Sequence, residues 1–232
     1  MRGSARWGLT LLLALVTVGF FAADYSGALA GVKASNRTDT WEFTLPIRYL
    51  SSQNLDFEHG TSIDLHGDLG WGFGFGYNFS EKMNLDFEFA WMSANYTVTF
   101  GPGSGNVLPP AKATGSLDAS STTINFTYNF IPKTITPYVS GGIGWNWVDT
   151  NIPTGPPEGF CWWDPWYGQV CSVYQDTAYK SGFAYGLGAG VRFEPKESFF
   201  IRLGLNDMWQ DFGSYSNTPD FLSYRFDLGW KF

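Results

Sequence analysis

The chain has 232 residues, with 14 Lys and Arg against 21 Asp and Glu and a formal charge of −7 at pH 7. So acidic a chain has no electrostatic means of gripping a phosphate backbone, which excludes a nucleic-acid partner. Only 15% of the residues are charged, whereas 19% are aromatic and 28 are Gly, a balance that suits an all-β domain with close backbone contacts or one with a face in lipid.

In chain order, the first segment reads as an export signal. Arg2 and Arg6 precede an apolar run from Leu9 to Phe21, and Ala28-Leu29-Ala30 supplies a small-x-small site, so cleavage is expected between Ala30 and Gly31. The alternative is an N-terminal anchor, but the run falls short of the about 20 apolar residues that a spanning helix needs. Without residues 1–30 the chain loses Arg2, Arg6 and Asp24 and keeps 12 basic and 20 acidic residues. Residues 31–40 are then a short polar tail, and 41–232 form one domain.

From residue 41 onward, large apolar side chains recur at every second position. The first run is Trp41, Phe43, Leu45, Ile47 and Tyr49, and the second is Ile63, Leu65, Leu69, Trp71, Phe73, Phe75 and Tyr77. The third is Leu85, Phe87, Phe89 and Trp91, after which Tyr96, Val98 and Phe100 fall on the opposite parity, from a bulge or because the strand has left the membrane. The fourth holds Ile124, Phe126, Tyr128 and Phe130, and the fifth Val139, Ile143, Trp145 and Trp147. The sixth runs from Tyr179 through Phe183, Tyr185, Leu187 and Val191 to Phe193, and the seventh has Phe199, Ile201, Leu203 and Leu205. The last is Leu222, Tyr224, Phe226, Leu228, Trp230 and Phe232. Eight such runs predict an all-β, eight-stranded antiparallel fold.

The connections alternate in length. Ser80–Lys82, Ile131–Ile135 and Glu194–Ser198 are short turns, whereas 51–61, 101–119, 149–178 and 207–220 are long and rich in Gly, Pro, Ser and Asn. Long loops on one rim and short turns on the other predict an up-and-down transmembrane barrel with both termini on the short-turn, periplasmic side. A soluble barrel with its aromatic face inward is the competitor. It fails on volume, because the lumen of eight strands cannot hold about forty side chains from Leu to Trp. The aromatic face therefore meets lipid, and the Gly-rich face lines the lumen. A closed barrel has no free edge, so a monomer is expected.

The lumen-facing parity carries Glu42, Asp64, Asp68, Asp86, Glu88 and Asp227 against Arg48, Lys180, Arg192, Arg202, Arg225 and Lys231. Matched charges in a narrow space predict a paired ionic network that plugs the lumen, since an unpaired charge there is costly. In an exported chain Cys161 and Cys171 are expected to form a loop-stapling disulfide, and two thiols without a nearby His make a poor metal site. Around them lie Phe160, Trp162, Trp163, Trp166 and Tyr167, a binding surface for an extracellular ligand or a self-packed loop core. His59, with Asp56, Glu58, Ser51 and Ser52, has the composition of an acyl-transfer site, but an ordinary polar loop explains it as well. His66, between Asp64 and Asp68, is expected in the lumen. No cofactor and no metal are expected.

The C-terminal Tyr224-Arg225-Phe226-Asp227-Leu228-Gly229-Trp230-Lys231-Phe232, together with Ile135-Thr136-Pro137-Tyr138-Val139 and Gly141-Gly142-Ile143-Gly144, resembles the small outer-membrane β-barrels of Gram-negative bacteria, of the OmpA transmembrane domain, OmpX and OmpW type. The resemblance spans about residues 40–232. It implies an outer-membrane location, outer-membrane lipid as surroundings, and a C-terminal row (Tyr224, Phe226, Leu228, Trp230, Phe232) read by the barrel-assembly machinery. Members of this family divide into inert anchors, small-molecule channels, adhesins and a few lipid-modifying enzymes. The residues favour a non-enzymatic structural or surface-interacting protein, with a narrow OmpW-like channel for small or apolar molecules second and a lipid-modifying enzyme third.

Overall fold

The computed structural model describes residues 32–56, 62–99, 112–211 and 220–232. The export signal, Glu58 and His59 lie outside them. In chain order the strands are β1 (Thr40–Leu50), β2 (Gln53–Asp56), β3 (Ser62–Leu65), β4 (Leu69–Asn78), β5 (Met83–Thr99) and β6 (Lys112–Asn129). They continue with β7 (Ile135–Pro153), β8 (Glu158–Asp164), β9 (Gly168–Tyr174), β10 (Thr177–Lys196), β11 (Phe199–Asp211) and β12 (Asp220–Lys231).

Eight of these strands close a ring in the order β1, β4, β5, β6, β7, β10, β11, β12, all antiparallel. The closing pair runs from Glu42 opposite Lys231 to Leu50 opposite Ser223. A ring is what lipid demands, because a sheet edge in hydrocarbon has no water to satisfy its backbone groups. The outer wall is a belt of exposed aromatic and aliphatic side chains, Trp41, Ile47, Trp71, Phe75, Ile143, Leu187 and Leu203 among them. Neighbouring strands pair their rings across it: Trp41 with Tyr77 at 5.0 Å, Phe73 with Phe89 at 5.3 Å and Trp71 with Trp91 at 5.3 Å. From Trp41 to Tyr49 an extended strand climbs about 27 Å, or about 20 Å once tilted, close to the apolar band of such barrels.

The long-loop end differs from the sequence reading in three places. Strands β5, β6, β7 and β10 have 17, 18, 19 and 20 residues. That is well beyond the about 9–11 needed to cross lipid. The expected loop 101–119 is therefore strand from Lys112 onward, the expected loop 149–178 is largely strand and hairpin, and the expected loops 51–61 and 207–220 hold β2 and the end of β11. The parity change after Trp91 is no bulge: β5 and β6 stay in register from Met83 opposite Tyr128 to Thr99 opposite Lys112. Tyr96 points inward because the strand has risen past the lipid belt, and there it packs with Leu50, Leu65 and Ala94 in a small buried cluster.

The third difference is Leu65, expected on the lipid face and in fact buried inside at 5% exposure. The second run is not one strand. It breaks at His66–Asp68, where Leu50 N donates to Asp68 O at 2.9 Å and Gly67 N donates to Ser52 Oγ at 2.9 Å. The break reverses the phase between β3 and β4.

Inside, one close approach is at Gly229, where an added Cβ would stand 2.1 Å from Cζ of Phe200. Gly229→Ala is expected to lower stability by about 1–3 kcal/mol through overpacking. Gly155→Ala, with nothing within 4 Å, should leave it unchanged. Urea unfolding of the two refolded variants, followed by tryptophan fluorescence, checks the contrast.

Candidate functional site

Buried charges stand at two levels of the lumen. At the short-turn end, Arg192 on β10 grips Glu42 on β1 with both terminal nitrogens, at 2.5 and 3.1 Å. Its Nε donates to Glu194 at 2.8 Å, and Asn78 adds a bond of 2.7 Å to Glu42. Glu194 also accepts from Lys231 at 2.8 Å, Arg37 at 3.3 Å and Ser35 at 2.9 Å. A bidentate guanidinium with every carboxylate oxygen engaged is the geometry in which a buried ion pair holds.

Arg37 and Ser35 belong to the N-terminal tail, which crosses this mouth of the barrel. Ser35 N donates to Pro132 O at 3.2 Å and Thr134 N to Lys33 O at 3.0 Å, so the tail is stitched to the β6–β7 turn. The Arg37 side chain, fully buried, donates to Ile131 O at 3.0 Å and lies 3.8 Å from Glu81. The tail was expected to be a short polar appendage. It is a strap that contributes a charge to the lumen.

Midway along the axis, Glu88 on β5 takes Arg48 from β1 and, at 2.7 Å, Arg225 from β12. Arg225 also donates to Asp227 at 2.7 Å, and Arg202 approaches the other oxygen of Asp227 at 2.8 Å. Asp86, buried beside them, accepts from Asn125 at 3.1 Å. Phe200 separates the two levels: it is wholly buried, with the Arg192 guanidinium 3.7 Å and that of Arg202 5.4 Å from its ring centre. An aromatic face between two cations eases their mutual repulsion.

Glu42, Arg48, Asp86, Glu88, Arg192, Arg202, Arg225, Asp227 and Lys231 thus line the lumen in ion-paired or buried positions. Asp64, Asp68 and Lys180, assigned to the same network from parity, do not join it. Asp64 sits on the β2–β3 hairpin, where Asn54 donates to it, and Asp68 caps its own strand by accepting from Leu69 N at 2.7 Å. Lys180 lies exposed near the long-loop end of β10. All three are displaced for one reason: they flank the broken or protruding ends of strands, where the period-two rule no longer reports the barrel interior. His66 is exposed as well, with Nε2 3.2 Å from Thr97 Oγ1.

Sequence reasoning missed Arg37, Glu194 and Phe200. Glu194 and Phe200 follow the lumen parity of Arg192 and Arg202, a signal that was legible but hidden by assigning 194–198 to a turn. Nothing in the pattern of residues 31–40 marks Arg37. Among the described residues, no group of three or more His, Cys, Asp and Glu could hold a metal ion.

The other candidate site stands beyond the long-loop rim. Strands β8 and β9 pair as an isolated hairpin with Cys161 opposite Cys171, joined by a disulfide. Its turn is tight: Asp164 accepts from Trp166 N at 2.8 Å and Tyr167 N at 3.0 Å, and Gly168 takes φ +77°, a conformation that suits Gly. The five aromatic side chains do not collapse into a core. Phe160 and Trp162 stack at 5.4 Å but stay half exposed, and Trp163, Trp166 and Tyr167 are 77%, 85% and 85% exposed.

A family model described as outer membrane protein beta-barrel domain matches residues 8–232 of this chain. The chain belongs to that outer-membrane barrel family. The barrel is an integral protein of the bacterial outer membrane. Solved structures similar to the barrel include the OprG protein of Pseudomonas aeruginosa (14% identity, 85% of this chain and 98% of that one, TM-score 0.49). The N-terminal barrel domain of OprF from the same organism matches at 15% identity over 84% of this chain and 98% of that one, with a TM-score of 0.42. Ail of Yersinia pestis matches at 12% identity over 84% and 99%, with a TM-score of 0.46. Comparison with curated proteins found no match.

Removing one member of the lower network strands its partners. Arg192→Ala is expected to destabilise the barrel by about 3–5 kcal/mol, because Glu42 would remain buried and unpaired. Arg192→Met with Glu42→Gln should recover much of that loss. Urea midpoints of the refolded variants in detergent check both.

Proposed function

We propose that the barrel is a non-conducting, non-enzymatic scaffold whose role is surface interaction, carried by the β8–β9 hairpin. The observation behind this reading is the hairpin itself: a disulfide-stapled pair of strands holding Trp163, Trp166 and Tyr167 almost fully in solvent. Clustered exposed aromatic rings on a rigid frame are the usual chemistry of a binding surface, because Trp and Tyr lose little side-chain entropy on binding and offer large contact area. The disulfide restricts the unfolded chain and so favours the paired hairpin, modestly because the loop it closes is short. The segment between Lys133 and Lys180 has no basic residue and carries Asp149, Glu158, Asp164 and Asp176, so a ligand there is neutral or cationic.

The closed lumen supports the scaffold role. The Arg192–Glu42–Glu194 and Arg225–Glu88–Asp227 groups occupy the narrow interior at two heights, with Phe200 between them and the tail strap below. A channel for small or apolar molecules, the second reading, has the apolar upper lumen in its favour but must part these charge pairs. The outward row Tyr224, Phe226, Leu228 and Trp230 on β12, with Phe232 just after it, suits recognition by assembly machinery, as an alternating apolar edge available before the ring closes. Residues 1–30 suit an export signal.

Planar-bilayer recording of the refolded barrel is expected to give a silent wild type. The Asp86→Asn/Arg202→Ala double variant should leak small ions, because it removes charge and bulk from the middle level. Steady ion-selective conductance by the wild type would overturn the plug and make transport the leading function.

Trp163→Ala/Trp166→Ala/Tyr167→Ala should leave the free energy of urea unfolding within about 0.5 kcal/mol of wild type, as surface changes do. Binding of nanodisc-embedded barrel to glycan arrays and to cationic or zwitterionic vesicles should fall at least tenfold in that variant. Equal binding by wild type and variant would remove the hairpin from the function.

A further inference from the structure

Above the middle charge level the lumen changes character. Leu50, Leu65, Met92, Leu117, Met208 and Phe221 surround a cavity of about 180 Å³, and Arg48 and Asn146 stand among its walls. We propose that this cup binds a small neutral amphipathic molecule, a phenol or short alcohol of about seven to nine non-hydrogen atoms.

Three observations carry this. The first is size: an apolar protein cavity of about 150 Å³ accepts benzene, so a ring with a small substituent fits here. The second is the mismatch between wall and content. A water needs two to four polar partners, and walls of Leu, Met and Phe offer few, so an apolar body is a better occupant than a water cluster. The third is the polar end. Nε of Arg48 and Oδ1 of Asn146 are both buried without a hydrogen-bond partner, one a donor and the other an acceptor. A hydroxyl can accept from the first or donate to the second, and so relieves a desolvation cost that an all-apolar guest would leave in place.

Charge selects the neutral class. The middle level already sets three guanidinium groups, Arg48, Arg202 and Arg225, against three carboxylates, Asp86, Glu88 and Asp227. A carboxylate or amine entering the cup would add an unmatched charge to a balanced group. The site is independent of the hairpin, which lies on the far side of the rim. It also asks for no passage through the barrel, because the charge pairs form its floor.

The methionines report on it. Met92 and Met208 line the cup, whereas Met83 lies exposed at the start of β5 on the lipid-facing wall. With ¹³C-methyl methionine in the refolded barrel in lipid nanodiscs, titration of para-cresol should shift the Met92 and Met208 signals saturably and leave Met83 still. Toluene, which lacks the hydroxyl, should bind several-fold more weakly. Asn146→Leu, which leaves only the Arg48 donor at the polar end, should weaken that preference, and Ala119→Phe, which fills the cup, should abolish the shifts.

Met83 moving in step with the other two, without saturation, would mean partition into lipid and overturn the site. Toluene and cresol binding alike to the wild type would overturn the polar end. If a variant fails to refold, the wild-type comparison of the two probes, with Met83 as internal control, still decides.

Discussion

The constraint on which everything else rests is that hydrocarbon supplies no hydrogen bonds. Every backbone N–H and C=O within the lipid must therefore find its partner inside the sheet, and only a closed ring does so. The pairing of β1 with β12, nine residue pairs from Glu42–Lys231 to Leu50–Ser223, is where that closure is made. Closure of eight strands then fixes the lumen's width. It is too narrow for the large apolar side chains, which go outward to lipid, and wide enough for Gly, Thr, Asn and a limited number of charged side chains.

Charges inside such a tube are held only if each finds an opposite. The lower level solves this with a strand-to-strand grip, Arg192 on Glu42, shared onward through Glu194 to Lys231 and Arg37. The middle level chains Arg48, Glu88, Arg225, Asp227 and Arg202. Several of these pairs join strands that are not neighbours in the ring, as Arg192 of β10 does with Glu42 of β1. They brace the barrel across its bore, which hydrogen bonds between adjacent strands cannot do. Phe200 fills the gap between the levels and gives both flanking guanidinium groups an aromatic face.

Along the axis the molecule is thus layered. A strap of the N-terminal tail lies at the short-turn mouth, two charge levels follow, an apolar cup comes next, and a protruding aromatic hairpin stands beyond the rim. Each layer follows from its surroundings. Where lipid encloses the wall, the interior is polar. Where the strands rise out of lipid, inside and outside no longer differ so sharply, and Leu50, Leu65, Ala94 and Tyr96 turn inward to form an ordinary small core. The hairpin, free of both lumen and lipid, owes its shape to a disulfide and a tight Asp164–Gly168 turn.

The sequence by itself determined the number of strands in the ring, their antiparallel order, the closure and which face meets lipid. Period-two alternation and loop length are local signals, and about forty large side chains cannot enter a narrow lumen. It also determined most of the buried charges, since Glu42, Asp86, Glu88, Arg192, Arg202, Arg225, Asp227 and Lys231 keep one parity through unbroken strands. The tertiary structure alone decided who pairs with whom, because that depends on ring closure and on the relative heights of strands far apart in the chain. It alone removed Asp64, Asp68 and Lys180, since a break at His66–Asp68 and the overrun of β10 beyond the lipid cancel the parity rule there. It alone recruited Arg37, because a polar tail has no periodicity to show which way it folds, and only the barrel mouth gives its guanidinium a carboxylate to meet.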